Sequence, residues 1–402
     1  MVEADKARKK LIETGKRVFT NKEKETESIP LEFSSGRVIA RDIRSKRDFP
    51  SQPLATKDGY AVAFVDKEQK NFTVKGSVFA GSSSPRPLKE GEAMEIATGA
   101  LLPEGAEAVV ELESVTKKRN KIIVNREIQK GENIKKPASD LKADELLFPE
   151  GIVLNPELVS ELSRLGREEV EVYPRLQVGI LNTGEELLPP GCTPGPGEKF
   201  NTNLFWLKAR LEAEGCEGIN LGIVGDDRVK IRNKLSWAGT EGLDLVITTG
   251  GLGESRADLM ADVWKDLALK SSFFKLNLLP GKRMLTGWKN DTLYIALPGA
   301  PGAVRALYKY FITPLLAILQ GRKEPFYYHS TALAAEEIDK DIEGSTQLIE
   351  GILQTKEGKN YFFPYKKRLK GKNDLWKEKR VHLILPPQCS RLSKGEMANI
   401  LI

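Results

Sequence analysis

Turn glycines and acidic side chains follow the apolar runs in the central part of the chain. The run Leu245–Thr249 leads directly into Gly250, Gly251 and Gly253, and Asp258 follows. Glycines allow backbone N–H groups to approach an anion closely, and the positive end of a following helix favours negative charge. A strand, a glycine turn and a helix in this order therefore predict a cradle for a phosphate or another oxyanion.

Carboxylates stand at neighbouring run ends. Glu186 follows the run that begins at residue 177, and Asp227 follows the run of residues 218–223. Because the carboxyl ends of parallel strands meet at one edge of a sheet, we expect Glu186, Asp227 and Asp258 on one rim. Carboxylates beside an anion cradle repel the ligand unless a cation lies between them. A hard divalent cation such as Mg²⁺ is expected, since the chain has only two histidines.

Each of these residues also has a simpler explanation. Asn203 and Asp227 are suited to capping the helices that follow them, and Glu186 can be a solvated side chain. Pro298 and Gly299 are ordinary turn residues. For any residue alone the simpler explanation is preferable. For the whole set on one rim, the functional interpretation is the better one.

Alternating elements would position these residues. The apolar spacing predicts helices over residues 3–18, 155–165, 203–214, 229–237, 258–267 and 302–319. Strands over residues 177–181, 218–223, 243–248 and 292–297 alternate with the later helices, which indicates an α/β/α domain with a parallel-type sheet. Short runs between Gly and Pro indicate small β-modules on both sides of it. The expected domains are one of residues 1–50 with 139–173, a β-domain of residues 51–138, the α/β/α domain of residues 174–324, and a C-terminal β-domain of residues 325–402.

Composition excludes several classes of function. The 402 residues carry a net charge of only +6, from 62 basic and 56 acidic residues, which does not favour a nucleic-acid partner. Two histidines argue against a Ser-His-Asp triad or a His-ligated metal. Three widely spaced cysteines fit a reducing compartment. We expect no apolar run long enough to span a membrane and recognise no secretory signal, so a cytoplasmic location is expected.

Several further motifs carry a resemblance to the MoeA/gephyrin family of molybdopterin molybdenumtransferases. The chain has Asp-Gly-Tyr-Ala-Val at residues 58–62, Thr-Gly-Ala followed by Pro-x-Gly at 98–105, and Gly-x-Asn-Ile at 131–134 before an acidic turn. Thr-Gly-Glu-Glu-Leu at 183–187, Asp-Asp at 226–227, Pro-Gly-Lys at 280–282 and Leu-Pro-Gly-x-Pro at 297–301 follow in the family's order. No single motif is specific, but together they cover nearly the whole chain.

The resemblance implies a homodimer that inserts molybdate or tungstate into adenylylated molybdopterin with release of AMP, assisted by Mg²⁺. It also implies that residues 1–50 with 139–173 form an elongated linker and dimerisation domain. The molybdopterin adenylyltransferase is a further partner that it suggests, and nucleic acid and membrane are not. Carried over by position, the catalytic residues would be Asp58, Thr98, Asp140, Glu186, Asp227 and Asp258, of which Glu186, Asp227 and Asp258 would bind the metal. The cofactor-binding residues would be Thr183, Gly184, Asn203, Gly250, Gly251, Gly253, Lys282, Pro298, Gly299 and Pro301.

Some positions depart from the family pattern. Lys57 precedes Asp58 where the family has Met, Ala300 replaces the usual Asn, and Arg283 follows the Pro-Gly-Lys motif where the family has Pro. Asn-Thr-Asn at 201–203 and Thr-Gly-Gly-Leu-Gly at 249–253 are similar to the CinA family. Two alternatives therefore remain at this point: a CinA-type hydrolase of nucleotide pyrophosphates, and a non-catalytic molybdopterin-binding or scaffold relative.

Overall fold

A computed structural model describes residues 1–20, 25–82, 85–252, 258–323, 329–365 and 379–402. The chain divides into two compact units, one of residues 1–41 with 150–402 and one of residues 42–149. The domain limits expected from the sequence are finer than this division and remain a prediction.

All six predicted helices are present. Their sequences explain their limits: α2, for example, begins with Pro156 after Asn155, whose side chain accepts from the N–H of Leu158. The sixth predicted helix is divided by a π-helical turn, Tyr308–Ile312. The helices are α1 Ala4–Thr20, α2 Pro156–Arg164, α3 Thr202–Ala213, α4 Arg228–Thr240, α5 Asp258–Asp266, α6 Pro301–Leu307 and α7 Thr313–Leu319.

Short strands occupy the first part of the chain. They are β1 Glu27–Pro30, β2 Ile43–Arg44, β3 Leu54–Ala55, β4 Gly59–Val62, β5 Asn71–Val78, β6 Glu92–Ile96, β7 Ala108–Glu111, β8 Val115–Lys118, β9 Lys121–Val124, β10 Ile134–Lys135, β11 Leu146–Phe148 and β12 Glu169–Val172. Within residues 42–149 a six-stranded sheet has the order β7-β4-β6-β5-β9-β8. Alternate residues of β4 pack on opposite faces, Tyr60 and Val62 in one apolar cluster and Ala61 in another. Both faces of this sheet are therefore covered.

A mixed sheet forms the centre of the larger unit. The strands of this part of the chain are β13 Gln177–Thr183, β14 Leu187–Leu188, β15 Lys199–Phe200, β16 Glu217–Val224, β17 Leu245–Thr249, β18 Lys270–Lys275, β19 Leu278–Leu279, β20 Arg283–Lys289 and β21 Thr292–Leu297. The sheet order is β16-β13-β17-β21-β20-β18, and the first four strands are parallel. Residues of α1, α3 and α6 pack on one face, and residues of α4 and α5 on the other. The α/β/α architecture is thus confirmed.

The parallel arrangement does not extend over the whole sheet. Strand β20 is antiparallel to both β21 and β18. The reason lies in the connection, since only Asn290 and Asp291 separate β20 from β21 and Asn290 has φ of +52°. A two-residue turn with positive φ can join only antiparallel neighbours.

A closed barrel forms the C-terminal part. The strands of this part of the chain are β22 His329–Ala334, β23 Ile338–Asp339, β24 Thr346–Lys356, β25 Lys359–Pro364, β26 Lys379–Leu385, β27 Arg391–Leu392 and β28 Met397–Leu401, of which β23 and β27 form a separate short pair. The pairs β24–β25, β25–β22, β22–β28, β28–β26 and β26–β24 complete a ring. Strand β19, which lies between β18 and β20 of the central sheet, pairs in parallel with the start of β24. The segment that connects β18 to β20 therefore joins the barrel through β24.

Residues 301–319 correct another expectation. By length and composition this helical stretch is long and apolar enough to cross a membrane, contrary to the sequence expectation. However, 72% of its apolar window is buried inside the protein. Val304, Leu307 and Phe311 lie in the same core cluster as residues of the central sheet and α1. A helix enclosed in this way is apolar around most of its circumference because it is a core helix.

Candidate functional site

The glycine turn lies at the meeting point of three strand ends. Gly250 and Gly251 have φ of +101° and +70°, and the N–H of Gly250 donates to the carbonyl of Leu297 at 3.0 Å. A Cβ on Gly250 would lie 2.6 Å from Oγ1 of Thr183 and closer still to the carbonyl oxygen of Thr183. A Cβ on Gly299 would lie 3.6 Å from the Cα of Gly250. Four of the predicted cofactor-binding residues therefore meet here, and the turn has no room for side chains.

The start of α3 joins this turn. Nδ2 of Asn203 donates to the carbonyl of Gly299 at 2.9 Å. Asn203 is not the cap of α3, since Asn201 takes that role and accepts from the N–H of Leu204 at 3.2 Å. The simpler explanation of Asn203 as a helix cap was therefore wrong, and its amide instead fixes the turn at Gly299.

A polar side chain that sequence reasoning missed, that of Asn182, lies beneath the turn next to the predicted Thr183. Nδ2 of the fully buried Asn182 donates to Oγ1 of Thr249 at 2.7 Å, and Oγ1 of Thr183 donates to the carbonyl of Thr249 at 3.3 Å. Among the residues described, Oδ1 of Asn182 and Nδ2 of Asn201 have no hydrogen-bond partner. The signal was an amide in an otherwise apolar strand, which is costly to bury unless it is used.

Glu186 lies against the end of β13. Its carboxylate folds back over Gly184, where a Cβ would meet Oε2 at 2.5 Å. Gly184 has φ of +147° and its N–H donates to the carbonyl of Val224, the last residue of β16. The side chain of Glu186 is exposed. The glycine before it thus allows a solvent-accessible carboxylate to stand at the rim.

Asp227 caps α4. Its Oδ1 accepts from the N–H groups of Val229 at 2.9 Å and Lys230 at 3.1 Å, and Oδ2 lies 3.4 Å from Nζ of Lys230. The hydrogen bond from the Lys230 N–H contributes most to lowering the pKa of Asp227. The structure therefore gives this carboxylate a capping role, and Oδ2 is its less engaged oxygen.

The neighbours of Glu186 and Asp227 line a cavity that the sequence did not predict. Its volume is about 510 Å³, and Glu185, Asp226, Arg228 and Asp262 are among its lining residues. Oε1 of Glu185 accepts from the N–H of Asp226 at 3.1 Å. Arg228 donates two hydrogen bonds of 2.7 Å to Asp266, which ties α4 to α5. The acidic cavity therefore contains an arginine, Arg228, whose charge is neutralised by Asp266 of α5.

The predicted metal ligands are only partly described. Asp258 is the first residue of α5, but its side chain and Gly253 lie outside the described residues. In the part of the chain that the structure describes, no group of three acidic, His or Cys side chains could hold a metal ion. Glu186 and Asp227 alone do not form such a group.

The remaining cofactor-binding candidates border the same strand ends or lie on a loop. Pro298 directly follows β21, and Pro301 is the first residue of α6. Lys282 is exposed on the segment between β19 and β20. The preceding Gly281 packs on α6, because a Cβ there would lie 2.8 Å from Cγ of Leu307.

In the unit of residues 42–149, Asp58 and Thr98 are in direct contact. Oδ1 of Asp58 accepts from the N–H of Thr98 at 2.7 Å and from its Oγ1 at 2.9 Å. These two hydrogen bonds, the backbone one first, lower the pKa of Asp58. The neighbouring Gly99 N–H donates to the carbonyl of Ala55, in β3. The exposed Asp58 carboxylate is therefore fixed in its ionised form.

Asp140 belongs to the other side of β3. It forms an ion pair of 2.8 Å with Lys135 of β10, and β10 pairs with β3. The structure therefore groups Asp58, Thr98 and Asp140 around one short strand. The adjacent Lys57 is exposed.

Comparisons with known proteins agree with this architecture. A family model for the MoeA N-terminal region (domain I and II) matches residues 2–166, and one for a probable molybdopterin binding domain matches residues 179–318. The chain is 33% identical to a molybdopterin molybdenumtransferase of Haemophilus influenzae over 326 residues, which cover 81% of this chain and 79% of that one. Against the Bacillus subtilis relative of the same name the identity is 28% over 348 residues, covering 84% and 80%.

The solved structure of a molybdopterin biosynthesis MoeA protein from Pyrococcus horikoshii OT3 is similar over all of this chain and 99% of that one, with a TM-score of 0.81 and 27% identity. The α/β/α layer with its glycine turn thus defines a protein with a domain of the molybdopterin-binding class. The N-terminal match and the whole-chain similarity narrow the class further. The chain belongs to the molybdopterin molybdenumtransferase (MoeA) family.

Proposed function

We propose that this protein is a transferase of molybdenum cofactor biosynthesis that inserts molybdate or tungstate into adenylylated molybdopterin and releases AMP. The observation that supports this most strongly is the turn at Gly250 and Gly251, closed against Thr183 and Gly299, in a chain of the molybdopterin molybdenumtransferase family. The family match includes residues 2–166, which a CinA-type hydrolase would not require. The transferase is therefore favoured over the hydrolase.

The turn suits a phosphorylated pterin for a physical reason. Because Gly250 and Gly251 carry no side chains and have positive φ, an anion can approach the backbone of the turn closely, although the N–H of Gly250 itself donates to the carbonyl of Leu297. The amide of Asn203 fixes Gly299, so the opposite wall keeps its shape when a ligand binds. We assign pterin and phosphate binding to this cluster, together with Thr183, Gly184, Gly253, Pro298, Pro301 and Lys282.

Mg²⁺ is the proposed metal. This ion usually keeps several waters and takes one or two protein carboxylates together with substrate phosphates. Glu186 is exposed at the rim, Asp227 has one oxygen that accepts no helix N–H, and Asp258 begins α5. These residues are compatible with an ion that the substrate's phosphates help to bind. Such an ion would withdraw charge from the phosphoanhydride that is cleaved.

Asp58, Thr98 and Asp140 are proposed to act in the same reaction. The Thr98 donors keep Asp58 ionised, so it can orient a cationic or hydrogen-bond-donating group but cannot supply a proton at neutral pH. We propose a cytoplasmic homodimer, with the molybdopterin adenylyltransferase as the supplier of substrate. Mixing the separately inactive Asp58→Asn and Asp258→Ala variants tests the dimer, because recovered activity requires residues of two subunits.

The decisive assay measures AMP release from adenylylated molybdopterin with Mg²⁺, with and without molybdate or tungstate. Oxyanion-dependent AMP release and metal-loaded pterin support the proposal. Cleavage of ADP-ribose in place of this reaction would establish the hydrolase instead. Inertness toward both substrates would identify a binding or scaffold protein.

Variants connect the reaction to the site. Asp58→Asn and Asp258→Ala should abolish turnover while the far-UV circular dichroism spectrum and melting temperature stay unchanged. Asp66→Asn is a matched control for Asp58, since Asp66 is an exposed turn aspartate of the same unit. Full activity in both site variants would refute the assignment of these residues.

A further inference from the structure

The segment of residues 276–282 carries the Lys282 ammonium at its end. The N–H of Leu276 donates to the carbonyl of Lys282 at 2.7 Å, which closes the segment into a loop. Leu276 is fully buried in the core of the larger unit, whereas Lys282 is exposed. Among the residues that the structure describes, the Lys282 side chain has no hydrogen bond or ion pair. Its charge is therefore available to an anion, provided that the loop is held in place.

Asn277 holds the base of this loop through three hydrogen bonds to two distant parts of the chain. Its backbone N–H donates to the carbonyl of Val2 at 2.8 Å, and its carbonyl accepts from the N–H of Thr346 at 3.0 Å. Its side-chain Nδ2 donates to the carbonyl of Gly344 at 2.6 Å. Asn277 thus joins the N-terminal residues, the loop and the start of strand β24 of the barrel.

Val2 strengthens the same connection. Its N–H donates to the carbonyl of Lys275 at 2.8 Å, and Val2 forms a parallel bridge with Leu276. Two of the three bonds at Asn277 involve only backbone atoms and survive any side-chain substitution. The bond to Gly344 is the one that depends on the side chain of Asn277.

We propose that Asn277 is a positioning residue that fixes the loop so that Lys282 reaches the phosphate of the bound pterin. This inference rests on the proposed function, in which Lys282 contacts that phosphate. A lysine side chain is long and flexible, so the position of its ammonium depends on how well its backbone is anchored. Small displacements of binding groups by substitutions away from the reacting atoms lower turnover efficiency strongly.

Two substitutions separate hydrogen bonding from side-chain shape. Asn277→Ala removes the donor to Gly344, and Asn277→Asp keeps the shape but places a carboxylate against a carbonyl oxygen. Each should lower kcat/KM for adenylylated molybdopterin about tenfold, because the pterin phosphate is part of the phosphoanhydride that is cleaved and a displaced Lys282 stabilises its changing charge less well. Asn220→Ala is the matched control, because Asn220 also makes a side-chain bond to the backbone, to the N–H of Gly222, and lies outside the site.

A double-mutant cycle tests whether Asn277 acts through Lys282. Lys282→Ala should lower the same kcat/KM, and Asn277→Ala should then lower it by no more than a further twofold or so in the Lys282→Ala background. A merely structural role would lower the activity of both backgrounds equally and would also lower the melting temperature. Independent, multiplicative effects would therefore overturn the proposal.

The experiments distinguish a failure of the proposed function from a failure of the inference about Asn277. If the proposed function is wrong, the wild-type protein itself will release no AMP, and the inference falls with it. If only the inference is wrong, the wild-type protein will be active and Asn277→Ala and Asn277→Asp will have an unchanged kcat/KM.

Discussion

Substitution of Gly250 by alanine tests the most important geometric feature of the site. Gly250 has φ of +101°, and its missing Cβ would lie 2.6 Å from Oγ1 of Thr183, with the carbonyl oxygen of Thr183 even nearer. An alanine there is strained by its backbone conformation and also displaces the end of β13. The substitution should therefore lower the stability of the central sheet and change the shape of the proposed anion cradle.

A second glycine separates these two effects. Gly222 has φ of +97°, but a Cβ there would meet no atom within 4 Å. Gly222→Ala therefore carries the backbone strain alone, about 1–2 kcal/mol. Gly250→Ala adds overpacking against a rigid backbone, about 1–3 kcal/mol, for a total of about 2–5 kcal/mol. The free energy of unfolding should accordingly fall by about 1–3 kcal/mol more for Gly250→Ala than for Gly222→Ala.

The measurement is urea unfolding followed by tryptophan fluorescence. All five tryptophans lie beyond residue 200, so the signal reports on the larger unit and not on residues 42–149. AMP release measured in parallel should be lost in Gly250→Ala and retained in Gly222→Ala. Equal loss of stability in the two variants, or a fully active Gly250→Ala protein, would refute the argument that the turn depends on close approach to Thr183.

Three further predictions concern single carboxylates. Asp227→Ala should lower the free energy of unfolding by about 1 kcal/mol through loss of the α4 cap. Asp227→Asn should keep that stability, because asparagine also caps helices, but should lose turnover. A fully active Asp227→Asn protein would show that Asp227 has only the capping role. Glu214→Ala should cost about 3 kcal/mol in urea unfolding, because it leaves Arg210 beside a buried, empty partner position. Burial raises the pKa of Glu214 above its ordinary value of 4.5, so its contribution to stability falls as the pH rises from that value through the raised one, and Glu214→Gln should remove that dependence. The hydrogen bonds from Thr98 lower the pKa of Asp58, so an NMR titration should place the midpoint of Asp58 below 3.8. These hydrogen bonds should weaken as the pH falls through that midpoint. A midpoint at 3.8 or above would contradict the observed hydrogen bonds.

Sequence reasoning located the glycine turn because its signals are local. An apolar run followed by Gly250 and Gly251 requires an extended strand and then a backbone of positive φ, and both features are observed. The parallel arrangement of β13, β17 and β21 then brings Thr183 and Gly299 to the same edge. These predictions needed only side-chain periodicity and the conformational freedom of glycine.

The roles of individual acids were harder to predict. Glu185 and Glu186 are consecutive, as are Asp226 and Asp227, and one step along the chain reverses the direction of a side chain. The structure directs Glu185 and Asp226 to a cavity and gives Asp227 to the first turn of α4. Which member of each pair faces a ligand depends on turn geometry that sequence periodicity does not contain. The antiparallel β20 was missed for a related reason, because its direction depends on the turn at Asn290.

The structure restricts the acid–base roles of Asp58, Asp227 and His382. Asp58 and Asp227 accept backbone N–H groups that lower their pKa values, so both are ionised at neutral pH and neither can donate a proton there. His382 is buried, and burial lowers its pKa to about 3, so it is neutral at the same pH. Asp58 and Asp227 can each stabilise positive charge and orient a ligand, but they cannot act as general acids at neutral pH. His382 lies on β26 of the barrel and is not one of the candidate site residues. The two carboxylates therefore suit the proposed reaction through positioning and electrostatic stabilisation and not through proton donation.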